Sequence, residues 1–505
     1  MMKMKMLPFL LLFFTLFSCK DEKETTQQNT PKPNIIFILA DDLGYGDVSA
    51  LNKDSKIPTP NMDQLANEGM VFTDAHSNSS VCTPTRYGVL TGEYAWRSRI
   101  KQGVLLGYSP SLIEEDQETI AKYLKKSGYK TACIGKWHLG IDWKLKNGNY
   151  HEGKKGELFT RQLVAFKDAD AIAFSEEAKG GPKRAGFDYS YILPASLDFQ
   201  PYCYLENNVT VEAPTDSTAG NDMDTGYTGA FWRPGRKAPS FEFDQVLPTF
   251  TQKAVDFIDE NKKGENPFFL YLPLNAPHTP WVPTESFNGK SQAGQYGDFV
   301  NMVDDVVGQI LAKVKEAGLE ENTMIVFTSD NGAYWKPEFI EEFDHRSNYN
   351  FRGMKADIYD GGHHIPFMVK YPGKVKAGSK SAQTICLTDF FATCQDLLNN
   401  TNSRPRDSFS LWPILNGKST SIDRAPVVHH SGGGKFAIRD GVWKMIEGMG
   451  SGGFTEPVFP PYNPDDPKGQ LYNLQEDIAE TNNLYNDHPE IVSDLESKLN
   501  QLKTQ

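Results

Sequence analysis

The sequence predicts an α/β fold: a mostly parallel central sheet flanked by helices, followed by a smaller antiparallel C-terminal α+β subdomain. Three observations carry this. Short apolar runs rich in β-branched and aromatic residues, at Asn34–Ala40, Lys130–Gly135, Phe268–Leu272 and Thr323–Ser329, alternate with helical patterns, as in a sheet buried on both faces. Polar residues recur where these runs end, at Asp41, Lys136, His278 and Asp330, and open parallel sheets place their ligands at the carboxyl ends of strands. From about residue 385 the character changes to Pro, Ser and Gly with scattered strand-like runs. The resulting division is 1–18, 19–33, 34–385 and 386–505.

Composition narrows the functional classes. The 505 residues carry 39% hydrophobic and 23% charged side chains, ordinary for a globular protein. A net charge of −13 argues against nucleic acid as a partner and requires that any anionic substrate be held by a local cationic pocket. Six cysteines without a Cys-x-x-Cys pair indicate neither a disulfide framework nor a thiolate zinc site. Cys133, Cys203, Cys386 and Cys394 read as buried thiols.

Residues 1–18 read as a signal peptide, with Lys3 and Lys5 before the apolar stretch Leu7–Phe17, which is too short to span a bilayer. Leu16-Phe17-Ser18-Cys19 resembles a lipobox with Cys19 as the lipidated residue, and Lys20–Glu24 resembles the acidic tag that exports lipoproteins to the outer face of the outer membrane. The expectation is a cell-surface lipoprotein, with the periplasm as the alternative and a lipid anchor as the only membrane contact. Polar residues 19–33 form a tether.

Asp41-Asp42 ends the first strand before Gly44 and Gly46; alone the pair suits a turn, and with a second carboxylate site it suits a Ca²⁺ or Mg²⁺ ion. Helices are expected at 59–69, 119–126, 249–261, 296–317, 387–399 and 488–502. Asp304 and Asp305, on the long fourth helix, read as capping or solvent carboxylates. Lys136 and His138, two apart in extended chain, point the same way. Residues 141–183 read as an irregular insertion, and 186–207 as an aromatic-rich loop facing substrate, with Asp198 placed to bond a sugar hydroxyl. Asp330-Asn331-Gly332 closes the last central strand, and Lys355 follows in Arg352-Gly353-Met354-Lys355.

Around Val81–Gly92 a cysteine is followed by Pro84 and Arg86. A helix begun there would set the Arg86 cation one turn from Cys82, beside a helix N-terminus, which suits nucleophilic chemistry, although such a cysteine also serves in plain packing. The stretch resembles the sulfatase signature Cys-x-Pro-x-Arg followed by Leu-Thr-Gly, here Leu90-Thr91-Gly92, with Thr85 where Ser is usual. With the other ordered motifs, the chain from about Pro33 onward resembles the formylglycine-dependent sulfatases of the alkaline-phosphatase superfamily. The resemblance implies that Cys82 becomes formylglycine through a formylglycine-generating enzyme, and that one Ca²⁺ is held by Asp41, Asp42, Asp330, Asn331 and position 82. It also implies a basic and acid–base set of Arg86, Lys136, His138, His278 and Lys355. In the same region His364 stands where many relatives carry Arg, either replacing a cationic contact or simply packing, and His345 and Arg346 are candidates to read a sugar or a second anionic group, or belong to an ordinary polar loop.

The implied activity is hydrolysis of sulfate esters on a carbohydrate outside the cell, with oligosaccharides of an algal polymer such as ulvan as the leading substrate and glycosaminoglycans as the alternative. A phosphate mono- or diester hydrolase of the same superfamily, or a binding lipoprotein that retains the fold, are the competing classes. Release of phosphate over sulfate would mark the first, and an unmodified Cys82 the second.

Overall fold

The computed structural model describes residues 31–221, 229, 231–400, 404–461 and 463–505. The signal peptide and Cys19 lie outside the described residues. Pro33–Gln505 forms one compact unit. No helix among the described residues is long and apolar enough to cross a membrane.

The strand Asn34–Asp41 (β1) is buried along its whole length, as its unbroken apolar run requires. It lies at the centre of a ten-stranded sheet. In chain order the other strands are Met70–Phe72 (β2), Lys130–Lys136 (β3), Tyr189–Leu193 (β4), Leu205–Glu206 (β5), Val209–Thr210 (β6), Phe268–Pro277 (β7), Thr323–Ser329 (β8), Phe367–Lys370 (β9) and Ser379–Ser381 (β10). Their spatial order is β6-β5-β4-β3-β7-β1-β8-β9-β2-β10. The five strands β4, β3, β7, β1 and β8 are parallel. Antiparallel pairs flank them, β5 on β4 and β9 on β8, so the sheet is mixed with a parallel centre. All five parallel strands deliver their carboxyl ends to one edge, which brings residues 41, 136, 278 and 330 together.

Two groups of helices flank the sheet. Val246–Asn261 (α4) and Gly294–Glu316 (α5) pack on each other and on β7, and Pro60–Glu68 (α1) packs on α5 and β9. Cys82–Thr91 (α2), Ile120–Lys126 (α3) and Asp389–Leu397 (α6) form the second group, with Phe390 of α6 set against Phe37 at 4.4 Å between ring centroids. Asp304 caps α1, accepting from the backbone N–H of Asn61 and Met62 at 3.0 and 2.8 Å, a buried capping role. Asp305 accepts from Gln309 near the surface.

The small antiparallel sheet consists of Val427–His430 (β11), Phe436–Asp440 (β12), Trp443–Glu447 (β13) and Gly469–Asn473 (β14), covered by the helix Pro489–Thr504 (α7). Val427, Ile438, Met445, Leu471, Val492, Leu495 and Leu499 build its own core. The segment after residue 386 still belongs to the large core through Phe390, Phe391, Leu411 and Leu415, so the second core gathers its strands from Val427 rather than from 386. Two irregular readings are also replaced. Residues 141–183 carry a three-stranded antiparallel sheet of Ile141–Lys144, Tyr150–His151 and Lys179–Gly180. The 186–207 stretch supplies β4 and β5, because its aromatic residues fill the edge of the large core. The cysteines at 82, 133, 203, 386 and 394 are all buried and unpaired.

Candidate active site

Helix α2 opens at Cys82 because Val81 is extended (φ −143°, ψ 154°) and Pro84 is tolerated in the first turn, where N–H groups lack helical acceptors. Every residue of α2 is buried. It stops at Gly92, whose φ of 68° is the left-handed cap conformation. The Cys82 thiol donates towards Asp41 Oδ1 at 3.6 Å, and burial pushes its pKa up to about 12 against the lowering pull of Lys136 and Lys355. One turn on, the fully buried Arg86 joins three strand ends. Its Nε and Nη2 donate to Asp330 Oδ2 at 3.0 and 2.8 Å, its Nη1 donates to the Lys136 carbonyl at 2.8 Å, and Nη2 stands 3.3 Å from Asp41 Oδ1.

The carboxylates form the floor. Lys136 Nζ donates to both oxygens of Asp41, at 2.8 and 2.7 Å. Asp42 has φ of 64°, which turns its side chain away from that of Asp41. It accepts from Asn331 Nδ2 at 2.6 Å and from Lys355 Nζ at 2.7 Å, with His278 Nε2 3.6 Å away. Burial raises the Asp41 carboxyl, but Lys136, His278, Arg86 and Lys355 outweigh it and hold the group well below the usual range. Asp330 moves the other way: burial and the Asp41 charge push it up against Arg86 and Lys136. Lys355 loses solvation, yet Asp42 holds it charged above the ordinary lysine range.

Both histidines reach this space. Lys136 ends its strand and His138 follows in a left-handed turn (φ 56°), so the pair does not share the extended alternation expected of it. His138 Nε2–H donates to the Leu105 carbonyl at 2.7 Å, leaving Nδ1 buried without a partner. His278 Nδ1–H donates to the Thr279 carbonyl at 2.6 Å, and Ser196 Oγ lies 3.1 Å from the same nitrogen. Burial, then the cations Lys136 and Arg86, push the His138 pKa well down; burial and Lys355 lower that of His278.

The residues expected to read substrate divide. His345 is buried, with Nε2 on Asp47 Oδ1 at 2.8 Å and Nδ1 taking the Lys56 N–H at 3.4 Å, so it supports the loop after Asp42 and has no face for a sugar. That loop is clamped: Gly46 N–H donates to the Ser347 carbonyl at 2.7 Å, and a Cβ on Gly46 would lie 2.1 Å from the Arg346 carbonyl. Arg346 is exposed and contributes its backbone to this clamp. His364 packs instead of binding: it is buried, stacks on Phe351 at 4.0 Å, and meets Asp360 Oδ2 and the Thr73 carbonyl. Asp198 is buried, ion-paired with Arg233, and keeps Oδ1 without a partner. Sequence reasoning missed Arg233, Ser196 as the neighbour of His278, and Asn275, whose two amide atoms are buried and unpartnered in the irregular stretch ending β7. The strand-end rule that found His278 would have pointed to Asn275 as well.

Ligating atoms of Asp41, Asp42, Cys82 and His278 lie within 4.8 Å of one another. Asn331 Oδ1 is buried without a hydrogen-bond partner beside them. A hard divalent cation fits this mostly oxygen donor set, and an unionised thiol is its weakest member.

The fold and this site define the class of alkaline-phosphatase-like ester hydrolases. Residues 33–400 match the sulfatase family, and the chain belongs to it: it is a sulfuric ester hydrolase. It is 31% identical to an N-acetylgalactosamine-6-O-sulfatase of Bacteroides thetaiotaomicron, across 99% of each chain. It is also 31% identical to human steryl-sulfatase, covering 88% of this chain and 79% of that one. A chain solved in work on the metabolism of multiple glycosaminoglycans by B. thetaiotaomicron superposes with a TM-score of 0.79 at 32% identity, covering 94% of this chain and 100% of that one. A phosphonate monoester hydrolase of Agrobacterium radiobacter, at 18% identity and a TM-score of 0.59, shares the fold, covering 94% of this chain and 96% of that one.

Proposed function

We propose that this sulfatase removes sulfate from a sulfated carbohydrate, with Cys82 as the precursor of a formylglycine nucleophile and calcium as the resident ion. The observation that carries the reading is the convergence on Cys82 of three carboxylates and the cations of Arg86, Lys136 and Lys355 at the ends of parallel strands. The modified residue supplies an oxygen nucleophile towards sulfur, which a buried thiol with a pKa near 12 does not. Calcium, held by Asp41, Asp42, Asp330, Asn331 and position 82, supplies Lewis acidity and positive charge.

The chain's own groups do the rest. Lys136 and Lys355 stabilise charge on the sulfate oxygens. Arg86 fixes the nucleophile's helix against the strand ends, and Asp330, with its raised pKa, accepts the nucleophile's proton. His278 delivers a proton to the leaving alcohol; a bound anionic ester favours its protonated form, against the effect of burial. His138, with Nδ1 free, takes the proton whose removal lets sulfate depart.

The full-length similarity to an N-acetylgalactosamine-6-O-sulfatase supports a 6-O-sulfated amino sugar of a glycosaminoglycan over ulvan oligosaccharides, the leading expectation from sequence; the export signals suit either polymer. Export as a Cys19-anchored lipoprotein to the outer membrane surface, or else to the periplasm, fits a polymer met outside the cell. Maturation then depends on a formylglycine-generating enzyme in the host.

The test is ion chromatography of protein co-produced with that enzyme, incubated with glycosaminoglycan, ulvan and carrageenan oligosaccharides and with phosphate esters, with and without a calcium chelator. Sulfate from a saccharide, lost on chelation and restored by Ca²⁺, is the expected result. Phosphate release alone, with position 82 shown by mass spectrometry to be modified, overturns it.

A further inference from the structure

The small C-terminal domain reaches the mouth of the site. Its loop at 450–460 carries two of the most exposed large apolar side chains among the described residues, Phe454 at 53% and Phe459 at 60%. Scattered exposed apolar residues are ordinary, but Phe454 is held in place by a residue next to a catalytic lysine. Asp357, two residues after Lys355, accepts the backbone N–H of Phe454 and Thr455 through Oδ1 at 2.7 and 3.0 Å. Ala356 presses on Gly453, where a Cβ would meet its backbone at 2.3 Å. Gly432 N–H donates to the Ala356 carbonyl, and the Gly432 α-carbon faces Val81, the residue before Cys82. Gly433, beside it, is covered by the Phe459 ring.

A second segment meets this loop from the large domain. Tyr334, three residues after Asn331, packs edge-on against Phe454 at 5.6 Å and 84°. Lys355 N–H donates to the Ala333 carbonyl, fixing that segment beside the same lysine. Lys336 stands 5.6 Å from the Tyr334 ring and forms no ion pair among the described residues. The result is a pair of aromatic rings, one solvent-facing, with a spare cation at its edge, on a protein whose overall charge of −13 repels polyanions. A pyranose ring presents C–H groups that stack on such a face, and a carboxylate or sulfate on that ring answers the lysine.

We propose that Phe454 and Tyr334, with Lys336, form a binding platform for the sugar unit adjacent to the sulfated one, so that the small domain selects oligosaccharides over monosaccharides. This rests on the carbohydrate reading above. Phe459 extends the same rim.

The experiment compares the formylglycine-bearing wild type with Phe454→Ala, Phe454→Tyr, Tyr334→Ala and Lys336→Ala. The probes are N-acetylgalactosamine 6-sulfate and a chondroitin 6-sulfate tetrasaccharide. Phe454→Ala should raise KM for the tetrasaccharide about tenfold with kcat unchanged, and leave the monosaccharide within about twofold. Phe454→Tyr should restore the wild-type value. Lys336→Ala should weaken only the tetrasaccharide and reduce its salt dependence. Because Phe454 and Lys336 lie outside the cores, thermal melts should stay at the wild-type temperature. Wild type active on both probes, with all variants at parity or with equal losses on the two, overturns the platform alone. Wild type that releases no sulfate from either saccharide overturns the proposed substrate, and the platform's occupant with it.

Discussion

Two buried clusters in this protein are built from similar residue types, and both bring together groups that could hold a metal ion, but their charges are arranged differently. At Cys82, three carboxylates, Arg86 and two lysines face a common space, and several polar atoms there lack protein partners, among them Asn331 Oδ1 and His138 Nδ1. The lysine at its edge, Lys355, keeps 12% of its side chain exposed. At the joint between the two domains, His76, His363, His364 and His429 meet Asp74, Asp360, Glu480, Arg439 and Lys444. Here the charges neutralise one another: Lys444, fully buried, bridges Asp360 and Glu480 at 2.7 and 2.8 Å, and Arg439 pairs with Asp74 at 3.0 Å. His76 and His363 bond to each other at 3.0 Å between Nδ1 atoms. Residue type therefore does not separate a site from a structural joint. What separates them is whether charges are mutually satisfied or left facing an opening.

The largest expected effect breaks the first cluster without touching stability. Cys82→Ala should lower kcat/KM by about four orders of magnitude or more, with a stability cost of at most ~1 kcal/mol in urea denaturation. Substantial turnover by this variant would falsify the role given to position 82. Cys82→Ser should release the alcohol once and then stall, because a serine ester has no second hydroxyl; continued turnover by the serine form speaks against that route.

The second cluster should respond in the opposite sense. Lys444→Met leaves Asp360 and Glu480 buried without their cation and should cost ~3–5 kcal/mol, while the folded fraction keeps its kcat. A loss of kcat at unchanged stability would show that the joint takes part in catalysis.

The joint, together with the neighbouring His430, should also set the acid limit. Burial lowers His76 to about 4 despite Asp74, and burial lowers His430 to about 4 as well. The unfolded imidazole titrates near 6.5, so the unfolded chain binds more protons between these values. Stability from these groups is complete above about pH 6.5 and is lost as pH falls towards 4, on the order of 2 kcal/mol per imidazole by pH 5. Asp74, held below the ordinary carboxylate range, keeps its contribution through this window. Glu480 and Asp330, each pushed up to about 7, gain stability over the same interval, so the imidazole contribution is read by comparing melts of wild type and His430→Phe between pH 7.5 and 4.5. Wild type should lose stability more steeply than the variant as pH falls; parallel profiles contradict the neutral, buried state of this ring.

The smallest effect belongs to neither cluster. Thr119 Oγ1 accepts the Lys122 N–H at 3.1 Å and caps α3. Thr119→Ala should cost about 1 kcal/mol in denaturation and leave kcat unchanged. A larger loss of activity would tie α3 to the site.

Much of the first cluster was legible because it is written locally. A buried parallel strand must be a short apolar run, so its end is visible in sequence, and Asp41, Lys136, His278 and Asp330 each stand at or just beyond such an end. The Cys82–Arg86 spacing is one helical turn, also a local quantity. Sequence left His345 and His364 open between substrate reading and packing because deciding partners are far away: Asp47 lies 298 residues from His345, and the Thr73 carbonyl 291 residues from His364.

The sequence by itself determined the parallel sheet centre, the carboxylate and lysine residues at its edge and the helix that starts at Cys82. These follow from side-chain periodicity and from the backbone limits of Pro and Gly. Only the tertiary structure decided that Asp304 caps a helix 243 residues away, that Arg86 joins three strand ends, and that the 450–460 loop stands beside Lys355. Such contacts depend on how whole elements dock, and docking is set by the summed shape of two surfaces rather than by any short run of residues.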